Sequence, residues 1–273
     1  MNFSAYRNWR PTPLMLASIL LTMAAPLALI IRPDSWPWVL AIVVADNLVL
    51  TFAGLWPRCS WAGSNWTSLP PSSAERGEIA ITIDDGPDPD VTPAVLDILE
   101  RYGAKATFFC IAEKAQRYPG LCRDIVNRGH RIENHSMHHR FHLPFQLLGG
   151  WFSELNAAQN ALTEISGSRP AFFRPPAGLR NPLLDPVLSR LDLQLASWTR
   201  RGFDTVEQDA NRVLAKLLEG LRAGDILLLH DGNAARSRRG MPVILDVLPP
   251  LLDAIAAANL RAVTLREALV HAR

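Results

Sequence analysis

Residues 77–111 read GEIAITIDDGPDPDVTPAVLDILERYGAKATFFCI and contain the pattern that decides the fold class. The apolar, β-branched run at 79–83 predicts a strand, and the amphipathic pattern at 93–101, which begins after Thr92, predicts a helix. A second apolar run at 106–111 predicts another strand. A strand, a helix and a second strand in this order predict a βαβ unit, in which the two strands are parallel.

The same alternation continues to the C-terminus. Seven strands are predicted near residues 79–83, 106–111, 131–133, 171–174, 193–198, 226–229 and 261–264. The main helices are predicted at 93–101, 155–165, 206–221 and 243–258. Residues 77–273 are too few for the eight units of a TIM barrel, which needs about 250 residues. The sequence therefore predicts an α/β fold, a distorted (β/α)7 barrel.

Two apolar segments precede this domain. Residues 13–31 carry no charge and are long enough for a membrane-spanning helix. Arg7 and Arg10 precede the run, as in a secretory signal peptide, but the run is too long and no clean cleavage site follows it. Residues 36–56 have tryptophans near both ends but carry Asp46 in the middle.

The second segment either spans the membrane, forming a hairpin with the first, or lies as a helix in the membrane interface. The count of nearby basic residues favours both ends of the pair in the cytoplasm, and it includes Arg7, Arg10, Arg32, Arg58 and Arg76. The predicted organisation is one or two membrane helices in 1–57, a Ser-, Gly- and Pro-rich linker at 58–76 and a catalytic domain at 77–273.

The charge balance narrows the classes of partner. The chain of 273 residues has 28 basic and 26 acidic side chains, a net charge of +2, which does not favour binding to nucleic acid. Its three cysteines cannot form a closed disulfide framework.

Polar side chains follow the predicted strands, where a parallel barrel places its active site. Asp84 and Asp85 end the first strand, and because strand side chains alternate, one can bind a metal while the other holds a proton. The segment 133–142 holds four of the seven histidines. Imidazoles four apart on a helical turn face the same way, which pairs either His135 with His139 or His138 with His142 as zinc ligands.

Two further strand ends carry charged side chains. Arg174 lies in a Pro-rich turn and can hold a carboxylate in its ionised form through a forked hydrogen bond. His230 and Asp231 follow the buried run at 226–229, where a histidine is suited to proton transfer near neutral pH.

Taken together and in this order, the four clusters resemble the polysaccharide deacetylases of the NodB-homology type, carbohydrate esterase family four. The matching segments are Thr82 to Pro87, then His135, Ser136 and His139, then Arg174 to Gly178, and Leu228 to His230. In the first segment, Ile83 stands at a position where the family has an aromatic residue. The resemblance selects the pair His135 and His139, and it covers essentially all of 77–273.

The resemblance implies one divalent metal, usually zinc, held by Asp85, His135 and His139. By geometry Co²⁺, Ni²⁺ or Fe²⁺ would also suit these donors. It further implies that Asp84 is the general base that acts on a metal-activated water and that His230 is the general acid. The residues that would orient and tune these two groups are Arg174 and Asp204.

Departures from the family pattern affect the substrate groove. Ala177 stands where the family often has tyrosine, although its backbone N–H remains available, and Thr205 replaces a tryptophan. Trp198 is predicted to line the groove or the core. Arg200 and Arg201 have no counterpart in the family pattern; they either contact a phosphate or other anion on the substrate or are solvated surface arginines.

The predicted function is that of a membrane-anchored, metal-dependent hydrolase of a bacterial-type inner membrane. It would remove the N-acetyl group of a sugar in a polysaccharide or a lipid-linked saccharide, with the bilayer and this carbohydrate as its partners. The alternatives are a deformylase or O-deacetylase that acts on a lipid-linked sugar, and a non-catalytic sugar-binding protein of a polysaccharide assembly machine. Protein partners, and the side of the membrane on which the domain lies, are left open.

Overall fold

The computed structural model describes residues 9–270; residues 1–8, with Arg7 of the charge count, and residues 271–273 lie outside this range. Its centre is a curled sheet of parallel strands in the order β5-β4-β3-β2-β1-β7-β6, with β8 beside the start of β1. The strands are β1 (Glu78–Asp84), β2 (Ala106–Cys110), β3 (Arg131–Asn134), β4 (Phe172–Phe173), β5 (Gln194–Leu195), β6 (Arg200–Arg201), β7 (Ile226–His230) and β8 (Arg261–Val263). The predicted α/β, barrel-like fold is confirmed, with one strand more than the seven expected.

The extra strand is β6, which consists of two arginines and has no apolar pattern to predict it. It pairs with β7 through Arg200 and Leu227 and forms one end of the sheet order, opposite β5.

The helices of the described residues include those expected from the amphipathic patterns. They are α1 (Pro13–Ile31), α2 (Trp36–Leu55), α3 (Pro71–Glu75), α4 (Thr92–Arg101), α5 (Ala112–Arg117), α6 (Pro119–Asn127), α7 (Leu148–Ser166), α8 (Leu184–Leu191), α9 (Ala210–Leu218), α10 (Val243–Ala257) and α11 (Leu265–Val270). The helix predicted at 206–221 is shorter, because Asp209 caps α9 by accepting a hydrogen bond from the Asn211 N–H.

Strand β1 shows how the core orients the site. Ile79, Ile81 and Ile83 are buried in the large cluster shared with the helices. Ala80 belongs to a smaller cluster enclosed by the curl of the sheet. Because strand side chains alternate between the two faces, Asp84 lies on the same inner face as Ala80.

The apolar N-terminal segments form two helices that contact each other and are joined by a short turn at Pro33–Ser35. Both helices are long and apolar enough to cross a membrane. The polar residue of the second segment is paired inside this hairpin, because Ser18 Oγ donates to Asp46 Oδ1 at 2.6 Å. The hairpin also contacts the domain, since the Arg180 N–H donates to the Gly54 carbonyl at 3.1 Å.

The segment 58–76, predicted as a linker, lies against the open side of the curl. The Trp66 N–H donates to the Leu195 carbonyl and the Trp66 carbonyl accepts from the Ser197 N–H, both at 2.9 Å. The Leu69 N–H donates to the Gly224 carbonyl at 2.8 Å. Residues of this segment thus extend the wall of the barrel beyond β5.

Candidate metal centre and catalytic cleft

The predicted site residues meet in one cleft at the carboxyl ends of the strands. Asp84 ends β1 and His230 ends β7, and the parallel register sets these two residues side by side. The cleft has a volume of about 440 Å³. The predicted residues that line it are Asp84, Asp85, His135, His139, Ala177, Trp198 and His230.

Three of these residues form a compact cluster of possible metal ligands. Asp85 Oδ1 lies 3.1 Å from Nε2 of His135 and 3.1 Å from Nε2 of His139. One donor atom from each residue falls within 4.8 Å of the others. The alternative pair, His138 and His142, does not form this cluster, because the His138 ring lies towards Glu113. Its Nδ1 is 3.7 Å from the Glu113 carboxylate.

The backbone that brings the two histidines together is not the helical turn that we expected. Residues 135–142 form an irregular loop, with positive φ angles of 69° at Ser136 and 53° at His139. The Ser136 hydroxyl accepts a hydrogen bond from the His139 N–H at 2.9 Å, which fixes the loop. Positive φ is incompatible with a right-handed helix, so the loop itself orients both rings.

The donor set fits a divalent cation. His135 Nδ1 lies 2.7 Å from the Arg174 carbonyl, which can only accept, so Nδ1 carries the proton. In the neutral ring Nε2 then presents a lone pair to the Asp85 carboxylate. Two acceptors at this distance repel each other, and a cation held by both residues would relieve that repulsion. Two imidazoles and a carboxylate are donors typical of catalytic zinc sites, which keep a further position open.

The Asp85 carboxylate is held ionised and fixed. Its burial acts to raise its pKa, but the adjacent His135 and His139 rings outweigh this and hold the pKa well below its usual range. Its second oxygen accepts from Asn233 Nδ2 at 2.9 Å. The Asp85 backbone also has a positive φ of 73°, and a side chain at Gly232 would clash with the Asp85 carbonyl. Glycine is therefore required at position 232.

Asp84 forms a buried ion pair with Arg174. Arg174 Nη1 donates to Asp84 Oδ1 at 2.7 Å, and the exposed fractions of the Arg174 and Asp84 side chains are 1% and 4%. The guanidinium also donates to the Ala196 carbonyl at 3.1 Å and to the Ser197 carbonyl at 2.7 Å. Since Oδ1 is taken by Arg174, Asp84 Oδ2 is left facing the metal cluster, 3.9 Å from His135 Nε2.

His230 is paired with Asp204 through two contacts. Its Nδ1 lies 2.8 Å from Asp204 Oδ1, and its backbone N–H donates to Asp204 Oδ2 at 2.7 Å. Burial acts to lower the pKa of His230, but the Asp204 carboxylate outweighs this and raises it above its usual value. With Nδ1 occupied, Nε2 is the ring atom available to the cleft.

Two residues after β7 contribute to the site, and Asn233 was missed by the sequence reasoning. Asn233 lines the cleft and holds Asp85. The one feature of the sequence that pointed to Asn233 was its position shortly after His230 and Asp231 at the end of a strand. Asp231 is buried beneath the cleft, where Thr92 Oγ1 donates to it at 2.5 Å and desolvation raises its pKa to about 7.

The residues expected in the substrate groove divide into two groups. Ala177 is exposed at the cleft in a short turn, with φ of 54°, and Trp198 lines the cleft although it is only 8% exposed. Arg200 is held by Asp225 at 2.6 Å and does not line the cleft. Arg201 does line it, with its guanidinium 5.4 Å from the Trp198 ring centroid and 5.0 Å from that of Phe203. Of the two arginines, Arg201 is the one that could meet an anionic substrate group.

Comparison with known proteins agrees with the geometry. Residues 72–196 match the polysaccharide deacetylase family. The chain is 35% identical over 182 residues to a peptidoglycan-N-acetylglucosamine deacetylase of Bacillus cereus, an alignment that covers 63% of this chain and 81% of that protein. It is also 35% identical over 158 residues to a chitooligosaccharide deacetylase of Azorhizobium caulinodans, covering 58% of this chain and 75% of the relative.

A similar fold is found among solved structures. A peptidoglycan N-acetylglucosamine deacetylase, Bc1960, superimposes with a TM-score of 0.67 and 26% identity. The match covers 74% of this chain and 91% of the solved chain.

Proposed function

The chain belongs to the polysaccharide deacetylase family, hydrolases that act on N-acetyl groups of carbohydrates, and on that premise we propose that it is a membrane-anchored, metal-dependent sugar N-deacetylase. The observation that carries the proposal is that one cleft holds the Asp85, His135 and His139 cluster beside Asp84 and His230. We keep 77–273 as the catalytic domain, with residues 58–76 packed against it as an added part of the barrel wall. Membrane anchoring is supported by the two apolar helices α1 and α2.

Asp85, His135 and His139 would hold the metal. When bound, it would supply a Lewis acid that polarises the acyl carbonyl and lowers the pKa of a water molecule. Zinc is the metal that the donor set suits best, and Co²⁺, Ni²⁺ or Fe²⁺ could be held by the same donors.

Asp84 would accept the proton of the attacking water at Oδ2, as a general base. Arg174 occupies Oδ1 and thereby fixes the orientation of the carboxylate. Because Arg174 is itself held by the Ala196 and Ser197 carbonyls, the base cannot turn away from the cleft.

His230 would donate a proton from Nε2 to the leaving nitrogen, as a general acid. Asp204 accepts from Nδ1 and raises the pKa of the ring, so that more of the acid form is present near neutral pH. The backbone at Ala177 would contact the developing oxyanion, and Trp198 would form a wall against the sugar.

The proposal is tested by acetate release from an N-acetylated chito-oligosaccharide, using the full chain with added zinc or with a chelator. We expect zinc-dependent release that Asp84→Asn and His139→Ala abolish. His138→Ala is the matched control, because this neighbouring histidine lies towards Glu113 and should leave the rate unchanged. Release that persists in Asp84→Asn, or an equal loss in His138→Ala, would contradict the assigned roles.

A further inference from the structure

A second cavity, of about 650 Å³, lies where the α1–α2 hairpin meets the catalytic domain. This is within the range of about 300–1,000 Å³ typical of small-molecule sites. Its walls are mostly apolar and come from both parts of the chain, with Ile19, Met23, Leu50 and Leu55 on the hairpin and Phe145 and Leu179 on the domain. We call this cavity the hairpin groove.

The hairpin groove adjoins the catalytic cleft at one shared residue, Phe141. Phe141, which follows the metal-site histidines in the loop after β3, lines both cavities. Its side chain is 83% exposed, and its ring lies 6.2 Å from that of His139. The two cavities therefore lie on either side of an exposed side chain, close enough for one molecule to reach both across Phe141.

The surface around Phe141 is apolar in a way that suits a bilayer. Phe141, Phe145 and Leu147 are 83%, 85% and 74% exposed, within seven residues of one another. Exposed apolar residues that cluster in this way typically mark an interaction surface. In the parts of α1 and α2 that line the groove, the outer faces are also apolar and exposed, as at Leu20 and Leu48. The mouth of the hairpin groove thus lies next to the part of the chain that would lie in lipid.

We propose that the hairpin groove holds the hydrocarbon chain of a membrane-embedded substrate, whose N-acetylated sugar occupies the catalytic cleft. The inference rests on the proposed function and narrows its substrate class to a lipid-linked saccharide. The chemistry that recognises the substrate is then of two kinds: apolar contact along the groove, and polar contact with the sugar at the metal site. A soluble polymer has no hydrocarbon to place in the groove.

The test compares two substrates that differ only in their hydrocarbon. The full chain is reconstituted in lipid nanodiscs with zinc and given the methyl or the octyl glycoside of the same N-acetylated chito-oligosaccharide. We expect kcat/KM to be at least tenfold higher for the octyl glycoside, because burial of two methylenes, at about 0.8 kcal/mol each, already gives about fifteenfold.

Two variants separate binding of the octyl chain in the groove from partition of the octyl glycoside into the bilayer. Partition depends only on the lipid and the glycoside, so it is the same for every variant. Phe145→Ser changes a groove residue that is 85% exposed, so folding is not at risk, and it should lower the octyl-to-methyl ratio at least threefold. Leu147→Ser is the matched control, since Leu147 is exposed in the same loop but does not line the groove.

A ratio that Phe145→Ser leaves unchanged, or that both variants lower equally, would overturn the groove as the lipid site while leaving the deacetylase proposal intact. Acetate release from neither glycoside would overturn the proposed function, and the inference with it.

Discussion

Arg174→Met removes the cation of the buried ion pair with Asp84 while keeping a side chain of similar length. The change leaves the Asp84 carboxylate buried without its charged partner, and it takes a donor from the carbonyls of Ala196 and Ser197. Removal of one partner from a buried, hydrogen-bonded pair costs about 3–5 kcal/mol. For a domain of about 200 residues each kcal/mol lowers the unfolding midpoint by about 2–4 °C, so we expect a loss of about 6–20 °C.

The assay is thermal unfolding of the full chain in detergent, with acetate release measured on the same samples. Arg128→Met is the matched control. Arg128 contacts three carboxylates at 2.7–3.0 Å but lies at the surface, where such pairs contribute about 0–1 kcal/mol. We also expect the double variant Arg174→Met with Asp84→Asn to recover part of the stability lost in Arg174→Met, because it removes the uncompensated charge.

A stabilising role for the ion pair is refuted if Arg174→Met unfolds within about 2 °C of Arg128→Met, or if neutralising Asp84 in addition brings no recovery. Either result would mean that the ion pair is not what holds this part of the cleft together.

Three further changes test other parts of the account. Asp204→Asn removes the negative charge that raises the pKa of His230, so this pKa should fall and the basic limb of the pH–rate profile should move to lower pH. A basic limb that does not move would exclude His230 as the general acid. His130 is buried, and desolvation, together with the nearby charges of Lys105 and Arg128, lowers its pKa to about 4. Between pH 6.5 and 4 the histidine is therefore protonated in the unfolded state but neutral in the folded state, so the free energy of unfolding falls as the pH falls. The loss should reach about 3 kcal/mol and be smaller in His130→Asn, as measured by denaturant unfolding at each pH, and identical pH dependence in both proteins would contradict it. Added zinc should raise the unfolding midpoint of the wild type and of His138→Ala but not of His139→Ala, and an equal rise in all three would place the metal elsewhere.

The sequence allows the βα units to be predicted because apolar runs and amphipathic helices have different periods. β1 and β7 are fully buried and read as continuous apolar runs, so their positions were predicted closely. Strand β6 was missed because its two arginines carry no such pattern. They form a strand only because their backbone pairs with that of β7. The packing of 58–76 could not be predicted, because its contacts with Leu195 and Gly224 are also made by the backbone.

The candidate site was predicted from polar clusters at strand ends, and the structure brings those clusters into one cleft. The helical turn expected for His135 and His139 was wrong, because positive φ at Ser136 and His139 produces a loop that spacing alone does not indicate. Asn233 was missed because an asparagine in a loop has no distinctive pattern, and its contact with Asp85 spans 148 residues of sequence. Long-range contacts of this kind are visible only once the fold is known.

The central claim, that one metal held by Asp85, His135 and His139 supports deacetylation by this chain, is tested most directly by a metal titration. Zinc is added in steps to the metal-free full chain, and both bound zinc and acetate release from an N-acetylated chito-oligosaccharide are measured at each step. We expect the rate to rise in proportion to bound zinc and to reach its maximum at about one zinc per chain. A rate that does not depend on bound zinc, or no acetate release at full zinc occupancy, would contradict it.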